Sequence, residues 1–202
     1  MSHRSEEQAR SWVAQEAARI MVEEGVRDYQ LAKHKAMSRL GLSERTVLPR
    51  NTEIEQAIRS HRELFFTEQD RRHETGLWRA ALSAMRFLDP FDPRLVGPVL
   101  SGTAGRHSVV NLHIYADAVE EVLFHFMDAR VRFRSIERRL RFGKEGPGLY
   151  PGVMFEDTGA EVEAIVLSWT DQRRAPLSTV DGRPMRRAAI REVAGRVQGL
   201  GE

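Results

Sequence analysis

Residues 101–108 (SGTAGRHS) combine residue types that bind phosphate groups. The glycines let a ligand approach the backbone N–H groups closely, and the guanidinium of Arg106 can form charge-assisted hydrogen bonds with phosphate oxygens. Phosphate or nucleotide contacts are therefore expected from six residues of this loop, Ser101, Gly102, Thr103, Gly105, Arg106 and Ser108. The alternative is a purely structural loop, because a glycine after a buried strand can simply permit a tight turn.

The next apolar run, residues 109–116 (VVNLHIYA), carries two polar residues at alternate positions. Side chains alternate along a strand, so Asn111 and His113 should point away from the apolar face formed by Val110, Leu112 and Ile114. Asn111 and His113 could be polar residues at a strand end whose side chains bond to the backbone.

A later run, residues 160–167, places Glu161 and Glu163 on one face of another predicted strand. His113 with either glutamate could hold a soft metal such as Zn²⁺ or Mn²⁺. Ligands from separate strands, without spaced histidines on one element, form a weak pattern, so no metal site is predicted.

Apolar spacings of three and four predict the helices that precede these residues. Gly25 and Gly41 suit the ends of the first two, Pro90 and Pro93 terminate the fourth, and Thr52 with Glu55 fits a capping box for the third. The predicted helices cover residues 5–24, 28–40, about 51–65 and 68–88.

Shorter apolar runs predict the strands. The expected elements are a strand at 94–100, a strand at 109–116, a helix at 118–128, a bent strand or hairpin at 131–142, and strands at 151–155 and 160–167. The turn Asp157-Thr158-Gly159 should join the last two strands as a hairpin.

This order of elements, with Leu100-Ser101-Gly102-Thr103 before the strand of Asn111 and His113, resembles the nucleotidyltransferase superfamily with a polymerase-β-type palm. The resemblance implies an α+β fold of the palm-like α/β kind. A helical N-terminal segment (residues 1–67) would precede a nucleotidyltransferase-like domain (residues 68–202). That domain would contain a small mixed β-sheet, flanking helices and an Arg-rich C-terminal tail.

The resemblance also implies which residues occupy the catalytic positions. In that family, two carboxylates separated by one apolar residue bind Mg²⁺, and a third carboxylate lies on a later strand. The matching positions here are Asn111 and His113, with Glu161 or Glu163 as the third. The acidic pair is therefore missing. Because Mg²⁺ prefers oxygen ligands, and carboxylates above all, an amide and an imidazole are poor replacements for it.

We therefore expect a nucleotidyltransferase-like protein that binds a nucleotide or phosphorylated ligand, with metal-dependent nucleotidyl transfer lost or altered. Whether any enzymatic activity is retained stays open at this stage. The alternative is a non-enzymatic scaffold, or a nucleic-acid- or protein-binding module. The sequence indicates no particular cofactor and no oligomeric state.

The charge pattern bears on possible partners. The net charge is only +2, but residues 130–144 hold seven basic residues and one acidic, whereas residues 145–171 hold six acidic residues and none basic. Cross-strand charge complementarity is the preferred explanation over a phosphate-binding stripe. The arginines between Arg173 and Arg196 form the better free basic patch, with nucleic acid as a possible partner.

The N-terminal helices offer a second basic group, Lys33, His34, Lys35, Arg39 and Arg45, but residues 1–67 contain eleven basic and ten acidic residues, so no strong nucleic-acid footprint is predicted. No stretch is apolar enough to span a bilayer, and the N-terminus is charged where a signal peptide is apolar. Together with the absence of cysteine, this favours a cytoplasmic protein without membrane partners.

Overall fold

A computed structural model of the chain describes residues 3–43, 46–144 and 146–200. It contains an α+β arrangement with a mixed sheet, as the sequence predicted. The chain divides into two compact units. The first comprises the described residues of Met1–Arg71 with Thr103–Ser108 and Thr179–Asp181, and the second comprises the described remainder. The division falls inside a helix, four residues after the boundary that the sequence suggested.

The first unit is built mainly from three helices, α1 (His3–Glu24), α2 (Tyr29–Arg39) and α3 (Asn51–Phe65). The predicted stripes supply its core, since Val13, Ala17 and Ile20 of α1 are fully buried with alanines of α2. Small residues let helices pack closely, and Ala32 and Ala36 line the contact side of α2. The helix ends match the predictions, with Asp28 as the N-cap of α2 and Gly41 at a positive φ of 63° after it.

The start of α3 differs from the prediction. The helix is capped at Arg50, whose backbone N–H donates to Glu53 at 2.7 Å, because Thr52 and Glu55 already lie inside the first turns. Glu55 accepts a hydrogen bond from the Tyr29 hydroxyl instead. The buried face of α3 ends before Leu64 and Phe65, which are exposed.

The second unit contains a six-stranded sheet in the order β3-β4-β5-β2-β1-β6. Its strands are β1 (Arg94–Val96), β2 (Val110–Tyr115), β3 (Phe133–Leu140), β4 (Gly148–Asp157), β5 (Ala160–Leu167) and β6 (Ala188–Ala189). β2 and β5 are parallel, and every other pair is antiparallel. The helices are α4 (Glu68–Phe87), which begins in the first unit, α5 (Gly97–Ser101), α6 (Val119–Asp128) and α7 (Ile190–Gln198).

One face of this sheet packs on α4 and α6 through aromatic contacts. Phe126 of α6 meets Phe155 of β4 edge to face at 4.9 Å between ring centroids, and Phe87 of α4 contacts both rings. Residues 94–100, expected to form one strand, instead change direction at Gly97, which has a φ of 73° and is followed by Pro98 in α5. The bent strand or hairpin expected at 131–142 is the single, shorter strand β3, Phe133–Leu140, and the β4–β5 hairpin turns at Thr158 and Gly159 as predicted.

Candidate functional site

The strand β2 presents the residues that the sequence singled out. Val110, Leu112 and Ile114 are fully buried, as predicted for the apolar face. The opposite side of β2, with Asn111, His113 and Tyr115, is called the β2 face below. It is not an open surface, because His113 is 2% exposed, Tyr115 is fully buried and Asn111 is partly buried.

The strand register places Glu163 beside Asn111. These two residues are direct partners on the parallel strands β2 and β5, so their side chains leave the sheet on the same side. The partner of His113 is Ile165. Glu161 lies before Val162, the first residue of β5 that pairs with β2, and its half-exposed side chain is 3.7 Å from the Arg134 guanidinium. Thus the structure brings Glu163, and not Glu161, next to the polar residues of β2.

Glu163 is held by Arg138 of β3. The guanidinium donates two hydrogen bonds, from Nε to Oε1 at 2.7 Å and from Nη2 to Oε2 at 2.6 Å. The Glu163 side chain is 7% exposed, whereas that of Arg138 is 42% exposed. A bidentate pair of this kind uses both carboxylate oxygens, so Glu163 is already neutralised by its partner.

The same ion pair bears on whether the basic run at 130–144 complements the acidic run at 145–171. The basic residues on β3 do face acidic residues on β5, although the two strands are separated by β4. Charge complementarity across the sheet is therefore confirmed for Arg138 and Glu163. Sequence reasoning missed Arg138 as a site residue, and its only signal was the basic run in which it lies.

Asn111 bonds to the backbone close by. Its Nδ2 atom donates to the Val109 carbonyl oxygen at 3.3 Å. A Cβ atom on Gly97 would come within 2.8 Å of Nδ2, so a glycine at this position lets the Asn111 side chain lie against the turn into α5. This arrangement agrees with the simpler explanation of Asn111 as a polar strand residue.

His113 is a buried imidazole in a positively charged setting. Burial, followed by the charge of Arg187, lowers the pKa of His113 from 6.5 to about 4, so the ring is neutral at physiological pH. Its Nδ1 atom has no hydrogen-bond partner among the described residues. A substrate would have no access to this ring, because the side chain is enclosed.

Tyr115 links the β2 face to the Arg-rich segment. Its hydroxyl accepts a hydrogen bond from Arg187 Nη1 at 2.7 Å. Burial raises the pKa of Tyr115, so the hydroxyl stays protonated. Arg187 is the second functional candidate that the sequence did not single out, since it lies within a segment counted only for its total charge.

Residues 101–108 do not stay together as a loop of one unit. Ser101 and Gly102 end α5 in the second unit, where Gly102 has a φ of 75° and its N–H donates to the Pro98 carbonyl. This geometry gives Gly102 the structural role of a helix C-cap.

Thr103, Gly105, Arg106 and Ser108 belong to the first unit, where Thr103 is buried. The Gly105 N–H donates to Ser108 Oγ at 2.9 Å. Arg106 is paired with Asp70, Nε to Oδ1, at 3.0 Å. Hydrogen bonds from Thr67, with a smaller contribution from Arg106, lower the pKa of Asp70 to about 2. Arg106 is thus a charged group with a partner rather than an isolated cation.

The segment expected to be a free basic tail is folded. Ala188 and Ala189 form β6 at the edge of the sheet, and α7 follows directly. Arg174 is paired with Asp171 at 2.9 Å, Arg186 with Glu192 at 2.9 Å, and Arg196 lies over the Trp78 ring. These three arginines are engaged within the chain, and the segment is folded into β6 and α7 rather than extended as a free tail.

The basic group of the N-terminal helices is also largely engaged. Lys33 is 5% exposed, Lys35 lies 3.2 Å from Glu24, and Arg39 is paired with both Glu16 and Glu24. Arg45 lies outside the described residues.

The described residues contain no cluster of three or more His, Cys, Asp or Glu side chains placed to hold a metal ion. Among the described helices, none has the length and apolar character needed to cross a membrane. Comparison with known protein families finds no family model that matches this chain, and comparison with curated proteins finds no relative.

Proposed function

We propose that this chain is a nucleotidyltransferase-like protein that binds a nucleotide or another phosphorylated small molecule and does not carry out metal-dependent nucleotidyl transfer. The observation that carries the proposal is the bidentate ion pair between Arg138 and Glu163. It concerns the one carboxylate that the strand register brings beside the polar residues of β2.

Mg²⁺-dependent transfer requires carboxylate oxygens that converge on the ion. At the positions that resemble the family's acidic pair, this chain has an amide and a buried neutral imidazole. The third position, Glu163, already has its charge balanced by Arg138. Binding Mg²⁺ there would require breaking that ion pair and leaving the guanidinium next to the cation, which is electrostatically unfavourable.

Ligand binding without transfer is supported by the topology. β2 and β5 are parallel and end together, at Tyr115 and Leu167. In open α/β sheets, ligands bind beside the carboxyl ends of parallel strands. At the end of β2 stands Arg187, a cation that donates its hydrogen bond to a phenol and not to a carboxylate. A cytoplasmic location belongs to the same proposal, since the chain contains no cysteine.

A thermal-shift panel in EDTA tests the proposal. The full chain would be heated with nucleoside mono-, di- and triphosphates, sugar phosphates and inorganic phosphate. We expect at least one phosphorylated compound to raise Tm, because a ligand that binds only the folded state stabilises it by mass action. The unphosphorylated nucleosides and sugars serve as matched controls and should leave Tm unchanged. A panel without any stabilising compound would overturn the proposal.

A further inference from the structure

A cavity of about 580 Å³ lies within the second unit. This volume is in the range of small-molecule sites, roughly 300 to 1,000 Å³. The lining residues on which its chemistry depends are Arg173, Arg174, Arg187, Phe142, Leu177 and Met185. The whole lining includes these three arginines and no acidic residue, so the cavity is positively charged.

The three arginines differ in how their charges are balanced. Arg174 is paired with Asp171 at 2.9 Å and lies over the Phe142 ring at 5.0 Å from its centroid. The Arg173 side chain makes no hydrogen bond or ion pair with any residue in the part of the chain that the structure describes, and the Arg187 side chain donates only to the Tyr115 hydroxyl there. Two guanidinium groups thus face one cavity without a carboxylate partner among the described residues.

The position of the cavity relative to the sheet is also informative. Arg173 closes the 3₁₀ helix Trp169–Arg173, which begins two residues after β5 ends at Leu167. Arg187 is anchored on Tyr115, the last residue of β2. Both cations are therefore attached to the carboxyl ends of the two parallel strands, where open sheets bind ligands.

We propose that this cavity binds the phosphate group of a small phosphorylated molecule through Arg173 and Arg187. Guanidinium groups match phosphate oxygens with parallel hydrogen bonds, and an anion would balance the charges of Arg173 and Arg187. The apolar wall, which includes Leu177 and Met185, contacts the non-phosphate part of the molecule. This site assignment rests on the proposed function and gives it a location different from residues 101–108.

The test compares the binding affinities of variants of the full chain by isothermal titration calorimetry. The probes are a nucleoside monophosphate, a nucleoside triphosphate, a sugar phosphate and inorganic phosphate. Arg173→Gln is the main variant, because the Arg173 side chain has no hydrogen bond or ion pair within the described chain whose loss would disturb the fold. Arg187→Lys is the second, since it keeps the charge but removes the paired donors. Arg186→Gln is the matched control, because it changes the net charge by the same amount as Arg173→Gln. Arg186 is paired with Glu192 and does not line the cavity.

We expect Arg173→Gln to weaken binding of the phosphorylated probes at least tenfold, Arg187→Lys to weaken it severalfold, and Arg186→Gln to change it less than twofold. Which probe binds most tightly distinguishes free phosphate from a nucleotide or a sugar phosphate. Equal affinity in the wild type and Arg173→Gln would overturn the site assignment while leaving the proposed function intact, and equal losses in Arg173→Gln and Arg186→Gln would do the same. No binding of any probe to the wild type would overturn both.

Discussion

Arg138 of β3 reaches across β4 to hold both carboxylate oxygens of Glu163 on β5. Gly152 of β4 lies on the same side of the sheet, opposite Ile136 and Ile165. The pair balances the charge of the carboxylate that lies beside Asn111, and our proposal that the chain does not carry out metal-dependent transfer rests on it.

Removing Arg138 should therefore destabilise the protein. Arg138→Ala leaves the buried Glu163 carboxylate without its partner, and we expect a loss of about 2 kcal/mol in the free energy of unfolding, below the full cost of breaking a buried pair because Arg138 is partly exposed. Urea unfolding at neutral pH measures it. Arg139→Ala is the control, since the neighbouring Arg139 is exposed. Equal effects of the two substitutions would show that the ion pair does not stabilise the fold.

Restoring the missing carboxylates on β2 should create Mg²⁺ binding. We expect no tight Mg²⁺ binding by the wild type, and partial recovery in Asn111→Asp, His113→Asp, because carboxylates replace the amide and imidazole. Adding Arg138→Ala should strengthen that binding, since it releases Glu163. Calorimetric titration with Mg²⁺, after circular dichroism has shown that each variant is folded, measures the series. Millimolar binding by the wild type that Glu163→Ala abolishes would contradict this prediction.

His113 should make stability depend on pH. In the folded state its pKa is lowered to about 4 from 6.5, so between these values the unfolded chain binds the extra proton and the folded chain does not. Stability from this group is complete above pH 6.5 and is lost as pH falls towards 4, a change of about 3 kcal/mol. Urea unfolding from pH 4 to 7 should show that the free energy of unfolding changes less steeply with pH in His113→Leu than in the wild type. An unchanged slope would mean that His113 does not titrate as described.

Two glycines should respond oppositely to alanine. In Gly152→Ala the new Cβ would lie 2.6 Å from the Ala164 carbonyl oxygen and 2.7 Å from Ile165 Cδ1, so we expect destabilisation, by about 2 kcal/mol. In Gly76→Ala, inside α4, nothing lies within 4 Å of the new atom. There the higher helix propensity of alanine should stabilise by about 0.5 to 1 kcal/mol. Thermal unfolding distinguishes the two, and stabilisation by Gly152→Ala would contradict the close packing of β4 on β5.

Local patterns in the sequence predicted much of this fold. The alternation around Leu112 predicted β2, and Thr158-Gly159 predicted the hairpin, because both depend on neighbouring residues. Residues 94–100 were wrongly expected to continue as a strand, because apolar content alone does not show that Gly97 adopts a positive φ and begins the helix α5.

The candidate sites depended on contacts between distant residues. Glu163 was identified from its strand, but its partner Arg138 is 25 residues away, and no spacing rule selects one arginine from a basic run. The pairing of Arg106 with Asp70, 36 residues away, likewise became visible only in the folded chain. Arg187 acquired its role from Tyr115, 72 residues earlier.

The metal dependence of ligand binding decides whether arginines or a bound cation hold the phosphate. The phosphorylated compound that stabilises the full chain most would be titrated calorimetrically in EDTA and again in millimolar Mg²⁺. We expect the affinities in EDTA and in Mg²⁺ to agree within about twofold, because arginines and not a bound cation hold the phosphate. Binding that appears only with Mg²⁺ and disappears in Glu163→Ala would contradict it.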